Sequence, residues 1–586
     1  MSMLTNEQSQ FLDAEGKIVL CACPGSGKTF VVGKKVVKYL ENWAYDYRGM
    51  AVLSFTNVAS EEIIKQVNEI SKVNFSNFGF PHYIGTLDSF IDNYIFLRFG
   101  YLMYGQNRKR PKIIHDNIGS LPYAKKECYD KGCTRNTDIF HWGEGGLLKN
   151  GHPIDCNVTQ KPCQKFKKSL FKNGYVTQRE VATFSLRILK RFPNIAQEIA
   201  YRFPVIIIDE AQDTSKEQME IIELIANSGT TTVAIVGDPD QAIYEWRDAT
   251  PEYFTAKLND DNWQHLYLTA NFRSSQHICN ATSKFSSVLE NKKAPQAMGD
   301  YCQYPKKPIL LQVSSQKKKE DIIEWFKAEC LENGIDPAVD RVSVLTRGKI
   351  HNETDIPDLW QTAETELLAY STYLWNCSSK KDAFLKCEKA LYGIMIGDSR
   401  GLSLEEMHES IEKVCDYSEW KKTVILLLSL LPKADTSIKE WKKVITNTLE
   451  DLIQKSIINI AGNRKLTDII KTKSRIKIGE LYSTEFLNLQ LFKFFEKKTT
   501  EEIIYSSVHG VKGETFDATL LVVDSVRGNT VTPSLLTRGD LNNELMRIAY
   551  VAMTRPRKLL VVSIPKQKSS VALNRFPFEL WDYKEL

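Results

Sequence analysis

The stretch ACPGSGKTF, residues 22–30, is built to hold phosphate. Gly25 and Gly27 permit a tight turn that aims backbone amides at phosphate oxygens, and a following helix would add its positive N-terminal end. Pro24 and Ser26 complete the loop, Lys28 is placed to reach the β- and γ-phosphates, and Thr29 offers a hydroxyl to Mg2+. Ala22 stands where the usual first glycine of such loops falls. A phosphate loop also needs a carboxylate to hold the metal. IIIDEAQDT supplies it after an apolar run. There Asp209 is suited to Mg2+ and Glu210 to orienting and deprotonating an attacking water. An acid beside the metal aspartate favours hydrolysis over kinase-type transfer.

Those residues need strand ends to sit on. KIVLCA (17–22), MAVLSF (50–55), PVIIID (204–209) and TVAIVG (232–237) read as buried strands, and helices are expected over 28–41 and 58–70. HYIGT followed by LDSFIDNYIF repeats the strand–helix order. EEIIYSSV (501–508), ATLLVVD (518–524) and KLLVVSI (558–564) resume it. Alternating strands and helices imply an α/β fold with parallel sheets, and functional residues at the strands' carboxyl ends. The rhythm breaks twice. The expected division is a first core over 1–97 and 181–270, a basic Cys-rich insertion over 98–180, a second core over 271–355 and 500–586, and a mainly helical insertion over 356–499.

Composition narrows the class. Of 586 residues, 42% are hydrophobic and 25% charged, an ordinary globular balance. The N-terminus carries no secretory signature, and the apolar run near 424–431 falls short of the ~20 residues of a membrane span. Twelve cysteines without a small secreted framework predict reduced thiols in a cytoplasm. Residues 98–172 carry a net +9 in a chain of net +5, leaving −4 for the rest. Clusters such as RKRPK (108–112) and KFKK (165–168), with Lys165, Lys167 and Lys168, lie near aromatics. That combination suits a nucleic-acid backbone, and a merely solvated basic face is the other reading.

LTNEQ (4–8), ACPGSGKT (22–29), SFTNVA (54–59), GTLDSF (85–90), DEAQD (209–213), VGDPDQAIYEWR (236–247), NFR (271–273), HGVKGETFD (509–517) and AYVAMTRPR (549–557) occur in order. Together they resemble the superfamily-1 DNA helicases of the UvrD/Rep/PcrA group, over nearly the whole chain. The resemblance implies two RecA-like P-loop cores, ATP and Mg2+ as substrate and cofactor, and single-stranded DNA and single/double-strand junctions as partners. It implies that Gln8 reads the adenine and Phe272 stacks on it. Gln241 would sense the γ-phosphate, and Arg273 and Arg555 would reach it from the second core. Phe55 and Trp246 match base-stacking positions. Asn57, Thr86 and His509 match strand contacts, and Tyr244 and Arg247 the segment joining nucleotide to strand. Two departures stand out: Asp88 replaces a usual histidine, and Glu514 falls one residue early.

Cys128, Cys133, Cys156 and Cys163 lie within 36 residues, spaced C-x4-C and C-x6-C. Structural zinc, with His141 or His152 as substitute ligands, an iron–sulfur cluster and unligated thiols all remain open. The expected activity is ATP-dependent translocation along single-stranded DNA, stimulated by that strand and running 3′ to 5′ by resemblance. The alternative is a sensor ATPase that detects DNA ends or nucleotides and controls a partner nuclease, as the resemblance to the helicase-like component of Gabija-type anti-phage systems implies. Only 31 residues follow Arg555, so no nuclease is expected to be fused there.

Overall fold

A computed structural model describes all residues except 1–3, 72–78, 108, 115–120, 122–123, 134–136, 138, 144, 155, 157, 159–160, 245–249, 289–293, 347–358, 378–379, 398–403, 463, 473–476, 479–480, 483–486, 489, 493–494, 496–502, 524–530 and 567–572. The chain forms two compact units. The larger comprises Met1–Ile114, Ile118–Ile350 and Glu502–Leu586, and the smaller His115–Asn117 and His351–Glu501.

The larger unit contains two six-stranded sheets. The first is built from β1 (Gly16–Ala22), β2 (Met50–Ser54), β3 (Tyr83–Thr86), β4 (Val205–Ile208), β5 (Thr232–Gly237) and β6 (Gln264–Leu268), in the order β6-β1-β5-β4-β2-β3. Every pairing in it is parallel. The second is built from β7 (Ile309–Val313), β8 (Val342–Thr346), β9 (Ile503–Ser507), β10 (Phe516–Val522), β11 (Pro556–Pro565) and β12 (Asp582–Glu585), in the order β9-β8-β10-β11-β7-β12. It too is wholly parallel. Strands buried on both faces must be apolar at successive positions, which is why VIII at β4 and TVAIVG at β5 show no alternation.

Helices cover both faces of the first sheet. On one face α1 (Asn6–Asp13), α2 (Lys28–Glu41) and α3 (Asn57–Ser71) pack Phe11, Val31, Val36 and Ile63 against the strands. On the other, α4 (Leu87–Ile91) and the helices Gln178–Arg191 and Pro193–Arg202 contribute Phe90, Phe184, Ile188 and Ile199. The α/β reading with two parallel-sheet cores is borne out. The stretch expected as one helix after β3 is instead an α-turn followed by a π-helix over Asp92–Phe96.

Between α4 and Gln178 the chain adds small sheets, including the antiparallel strands Phe140–Gly143, Gly146–Lys149 and His152–Pro153. The smaller unit is a helical bundle. Ala363–Cys377, Lys380–Met395, Tyr417–Leu430 and Ile438–Gln454 surround buried Trp360, Trp420 and Trp441. No helix among the described residues is long and apolar enough to cross a membrane.

Candidate nucleotide and nucleic-acid site

The loop after β1 turns through Gly25 at φ +72° and Gly27 at φ +79°, where a side chain would be strained. A Cβ on Gly25 would also lie 2.8 Å from both the Arg273 Cβ and the Asn271 Oδ1, so the loop is closed over by the chain after β6. Gly27 caps α2 without a side-chain bond, leaving that helix's first amides uncommitted. The Ser26 hydroxyl is buried and without a partner among the described residues. Uncommitted donors around a concave loop fit an incoming phosphate group.

α1 holds Gln8 over this loop. A reciprocal capping box between Thr5 and Gln8 starts the helix. The Gln8 Nε2 then donates to the Ser26 carbonyl at 3.4 Å. Fully buried Lys35 donates to the carbonyls of Phe11 at 2.8 Å and Ala14 at 2.6 Å, tying α1 to α2. Burial pulls its pKa down to about 8. On the loop's far side the Phe272 amide donates to the Gly25 carbonyl at 2.8 Å, and its ring is 38% exposed, free to face a base.

The two carboxylates meet the loop at the end of β4. The Thr29 hydroxyl donates to the Asp209 Oδ2 at 3.3 Å, and the Lys28 Nζ lies 3.2 Å from the Glu210 Oε2. A hydroxyl beside a buried carboxylate is a hard oxygen donor set that fits Mg2+. Burial and the adjacent Glu210 raise the Asp209 pKa, whereas Lys28 and Lys512 hold that of Glu210 low against its own burial. Glu210 sits at φ +56°, a left-handed backbone that a non-glycine residue adopts at a cost of about 1–3 kcal/mol. Gln212 ties the two strand ends together. Its Nε2 donates to Glu210 at 2.5 Å and its Oε1 accepts from the Asp238 amide at 3.0 Å.

Residues after β5 and around β11 close the site. The Gln241 Nε2 donates to the Asp238 Oδ2 at 2.5 Å, and its Oε1 accepts from the Arg555 Nη2 at 2.8 Å. Arg555 is 1% exposed, and its burial lowers the guanidinium pKa to about 10. The Arg273 Nη1 donates to the Thr554 carbonyl at 3.1 Å, and burial and the charges of Arg555 and Arg557 depress its own pKa. Crowded guanidiniums short of anions are what a phosphoryl group would relieve. Sequence reasoning passed over several participants. Asn271 donates to the Pro24 carbonyl at 2.7 Å, Lys512 pairs with Asp213, and Arg547 donates to the Ala242 carbonyl at 2.6 Å. The first three side chains lie inside motifs already quoted. Arg547 lies outside them all, and nothing in the sequence marks it.

The strand-facing residues converge only in part. The Phe55 and Tyr244 rings are 5.1 Å apart, Tyr244 and His509 are 5.9 Å apart, and the Lys512 Nζ sits 4.8 Å over Tyr244. The His509 Nε2 lies 3.0 Å from the Ile243 carbonyl. A cleft of about 870 Å³ opens beside Phe55, lined also by Asp88, Arg179, Gln218 and Thr250. Asn57 is exposed at the start of α3. The Thr86 hydroxyl caps α4, accepting from the Ser89 amide at 3.1 Å. Asp88 accepts from the Gln218 Nε2 at 2.7 Å, and Glu514 pairs with Arg341 at 2.7 Å. Trp246 and Arg247 lie outside the described residues.

One expectation is corrected and one open reading narrows. Lys167 is 1% exposed and pairs with Glu180 at 2.9 Å, so this lysine of KFKK faces the interior while Lys165 and Lys168 are exposed. The metal reading of Cys128, Cys133, Cys156 and Cys163, one of those left open, is not supported. Among the described residues no group of three His, Cys, Asp or Glu side chains could hold a metal ion. The four thiols are free and line one small cavity. Cys128 and Cys163 are buried, Cys163 in a minor core with Leu121, Phe140 and Leu147, and the Cys133 sulfur accepts from the Lys149 Nζ at 3.2 Å. Cysteine acts there as a small hydrophobe. His152 is exposed, whereas His141 is buried and lines the cleft beside Phe55.

A phosphate loop, an Asp-Glu pair at a strand end and arginines delivered from a second parallel sheet define a two-core P-loop protein. Residues 4–116 and 153–262 match the UvrD/REP helicase N-terminal domain, and residues 404–567 match the UvrD-like helicase C-terminal domain. The chain is 24% identical to the ATP-dependent DNA helicase Rep of Buchnera aphidicola, over 99% of this chain and 96% of that protein. It is 22% identical to the putative ATP-dependent DNA helicase YjcD of Bacillus subtilis, over 98% of this chain and 80% of that protein. It is 27% identical to the Gabija protein GajB of Bacillus cereus, over 53% of this chain and 56% of that one. The chain belongs to the UvrD/Rep-like helicase family and is an ATP-dependent DNA helicase.

Proposed function

We propose that the protein is a translocase on single-stranded DNA whose ATP hydrolysis that strand stimulates, moving 3′ to 5′ as the family resemblance implies. The observation that carries this reading is the bond from Arg555 beside β11 to Gln241 after β5. A cation from one sheet is held by the residue after the other sheet's strand, so a γ-phosphate seated between them alters both. Lys28, the loop amides, Arg273 and Arg555 would bind the triphosphate. Gln8 and Phe272 would hold its base. Thr29 and Asp209 would hold Mg2+, which when bound neutralises developing phosphate charge. Glu210 takes the proton of the attacking water, with Gln212 holding its carboxylate in place.

The strand would lie across Phe55, Tyr244 and His509, with Asn57, Thr86, Trp246 and Arg247 assigned to it by resemblance. Tyr244 follows Gln241 by three residues and stacks under Lys512, which pairs with Asp213 of the same motif as Glu210. The strand platform and the hydrolytic carboxylates thus share one short segment on each side. The test is ATP turnover with and without a single-stranded oligonucleotide, beside displacement of duplexes carrying a 3′ or a 5′ tail. Acceleration by the oligonucleotide and displacement from the 3′ tail are expected. Turnover indifferent to DNA would overturn the reading.

A second reading draws on the similarity to GajB. In it the same ATPase reports on DNA ends or nucleotides to a partner nuclease. Stable co-purification with a nuclease, together with failure to displace duplexes alone, would favour it.

A further inference from the structure

We propose that the larger unit holds a second small-molecule site, behind the phosphate loop, that takes a small aromatic cation and alters ATP turnover. The cavity measures about 330 Å³ and lies between the loop, the turn after β5 and the helix Glu544–Met553. That volume is at the lower end of ligand pockets, which run from about 300 to 1,000 Å³. Ala22, Leu268, Val288 and Pro295 give it apolar walls, and Glu7, Asp238 and Asp240 give it carboxylates. Among the described residues no lysine, arginine or histidine lines it. The phosphate loop's cradle has the opposite character, with Lys28, Arg273 and Arg555. Anions are therefore directed to one site and repelled from the other.

Tyr550 supplies the second observation. It lines this cavity, is 2% exposed, and burial with the nearby Asp238 and Asp240 charges pushes its phenol pKa up. Glu7 and Asp238 are already engaged yet keep accepting capacity, whereas Asp240 is filled by the Ser286 hydroxyl, the Ser287 amide and hydroxyl and the Val288 amide. Glu7 takes the Thr269 amide and hydroxyl at 2.7 and 2.6 Å, and Asp238 takes the Asp240 amide at 3.1 Å beside the Gln241 bond. A flat apolar body carrying N–H donors and a positive charge satisfies walls, carboxylates and hydroxyl together.

The cavity also touches the machinery. Asp238 bonds Gln241, Gln241 bonds Arg555, and Tyr550 stands five residues before Arg555, whose Nε donates to the carbonyl of Val551, next to Tyr550, at 2.9 Å. An occupant therefore presses on both ends of the Asp238–Gln241–Arg555 chain without entering the nucleotide cradle.

The test uses the full chain and 2-aminobenzimidazole as probe, with binding followed by ligand-observed NMR and ATP turnover measured without DNA. Saturable binding that ATP does not displace is expected. Tyr550→Phe should weaken it about fivefold, as loss of one hydrogen bond would. Val288→Trp, which fills the cavity, should abolish it. At saturation the probe should change turnover in the unaltered protein but not in Val288→Trp. Absence of saturable binding, competition by ATP, indifference to both variants, or unchanged turnover at saturation would each overturn the proposal. The binding readout does not depend on oligonucleotide stimulation, so its failure is distinct from failure of the translocase reading.

Discussion

Glu210 works from a strained position, with its backbone left-handed and its carboxylate shared between Lys28 and Gln212. Strain of this kind persists where surrounding bonds over-determine it. Glu210→Gln keeps the shape and removes the proposed base. ATP binding should survive while single-turnover hydrolysis falls about 10²–10⁴-fold, the usual worth of a positioned base. Near-normal hydrolysis would assign the base elsewhere. Phe55 tests the strand side. Its ring leans on Tyr244 beside the large cleft. Phe55→Ala should cost single-stranded DNA about 1–3 kcal/mol of affinity, the value of one stacked base, and leave DNA-free turnover intact. Fluorescence anisotropy and a coupled ATPase assay read the two effects separately.

Asp92 opens the π-helix and accepts from the Gln178 Nε2 through both oxygens, at 3.0 and 3.1 Å. Burial raises its pKa to about 7, aided by Asp88 and opposed by Gln178. The folded state therefore binds more protons than the unfolded between about pH 4 and 7, and stability falls as pH rises through that window. Asp92→Asn should remove the fall. Its advantage in unfolding free energy over the unaltered protein, read by chemical denaturation, should be larger at pH 8 than at pH 5.5, by on the order of 1 kcal/mol for a half-buried group. Equal shifts at both pH values would rule out titration as the cause. This pair was not legible in the sequence, because partners 86 residues apart leave no local pattern. The strands were. Doubly covered parallel strands must be apolar throughout, so TVAIVG announced β5 with its observed ends. The helix over 28–41 was equally plain, since a phosphate loop fixes where it starts. β7 and β8 went unread, as short apolar runs with no motif attached. KFKK differs for another reason: charge does not ensure exposure where a buried partner such as Glu180 meets Lys167.

Across the whole molecule, net charge hides an uneven distribution, and burial decides which part of it a polynucleotide can feel. Replacing Lys165 and Lys168 by Gln should lower the salt slope of single-strand affinity by about 1.4, at roughly 0.7 per phosphate contact. An unaltered slope would make that face a bystander. Lys167→Gln should instead cost about 3–5 kcal/mol of folding stability by stranding a buried Glu180, with chemical denaturation as the measure. The bond between Lys28 and Glu210 bears on the machine's economy. One ammonium cannot serve a glutamate and a triphosphate equally. On the proposed roles, seating the fuel would withdraw the cation and release the glutamate to water in the same event. Those roles would interlock the motor like a breech that fires only when loaded, with no armed glutamate for stray water to meet while the chamber stands empty.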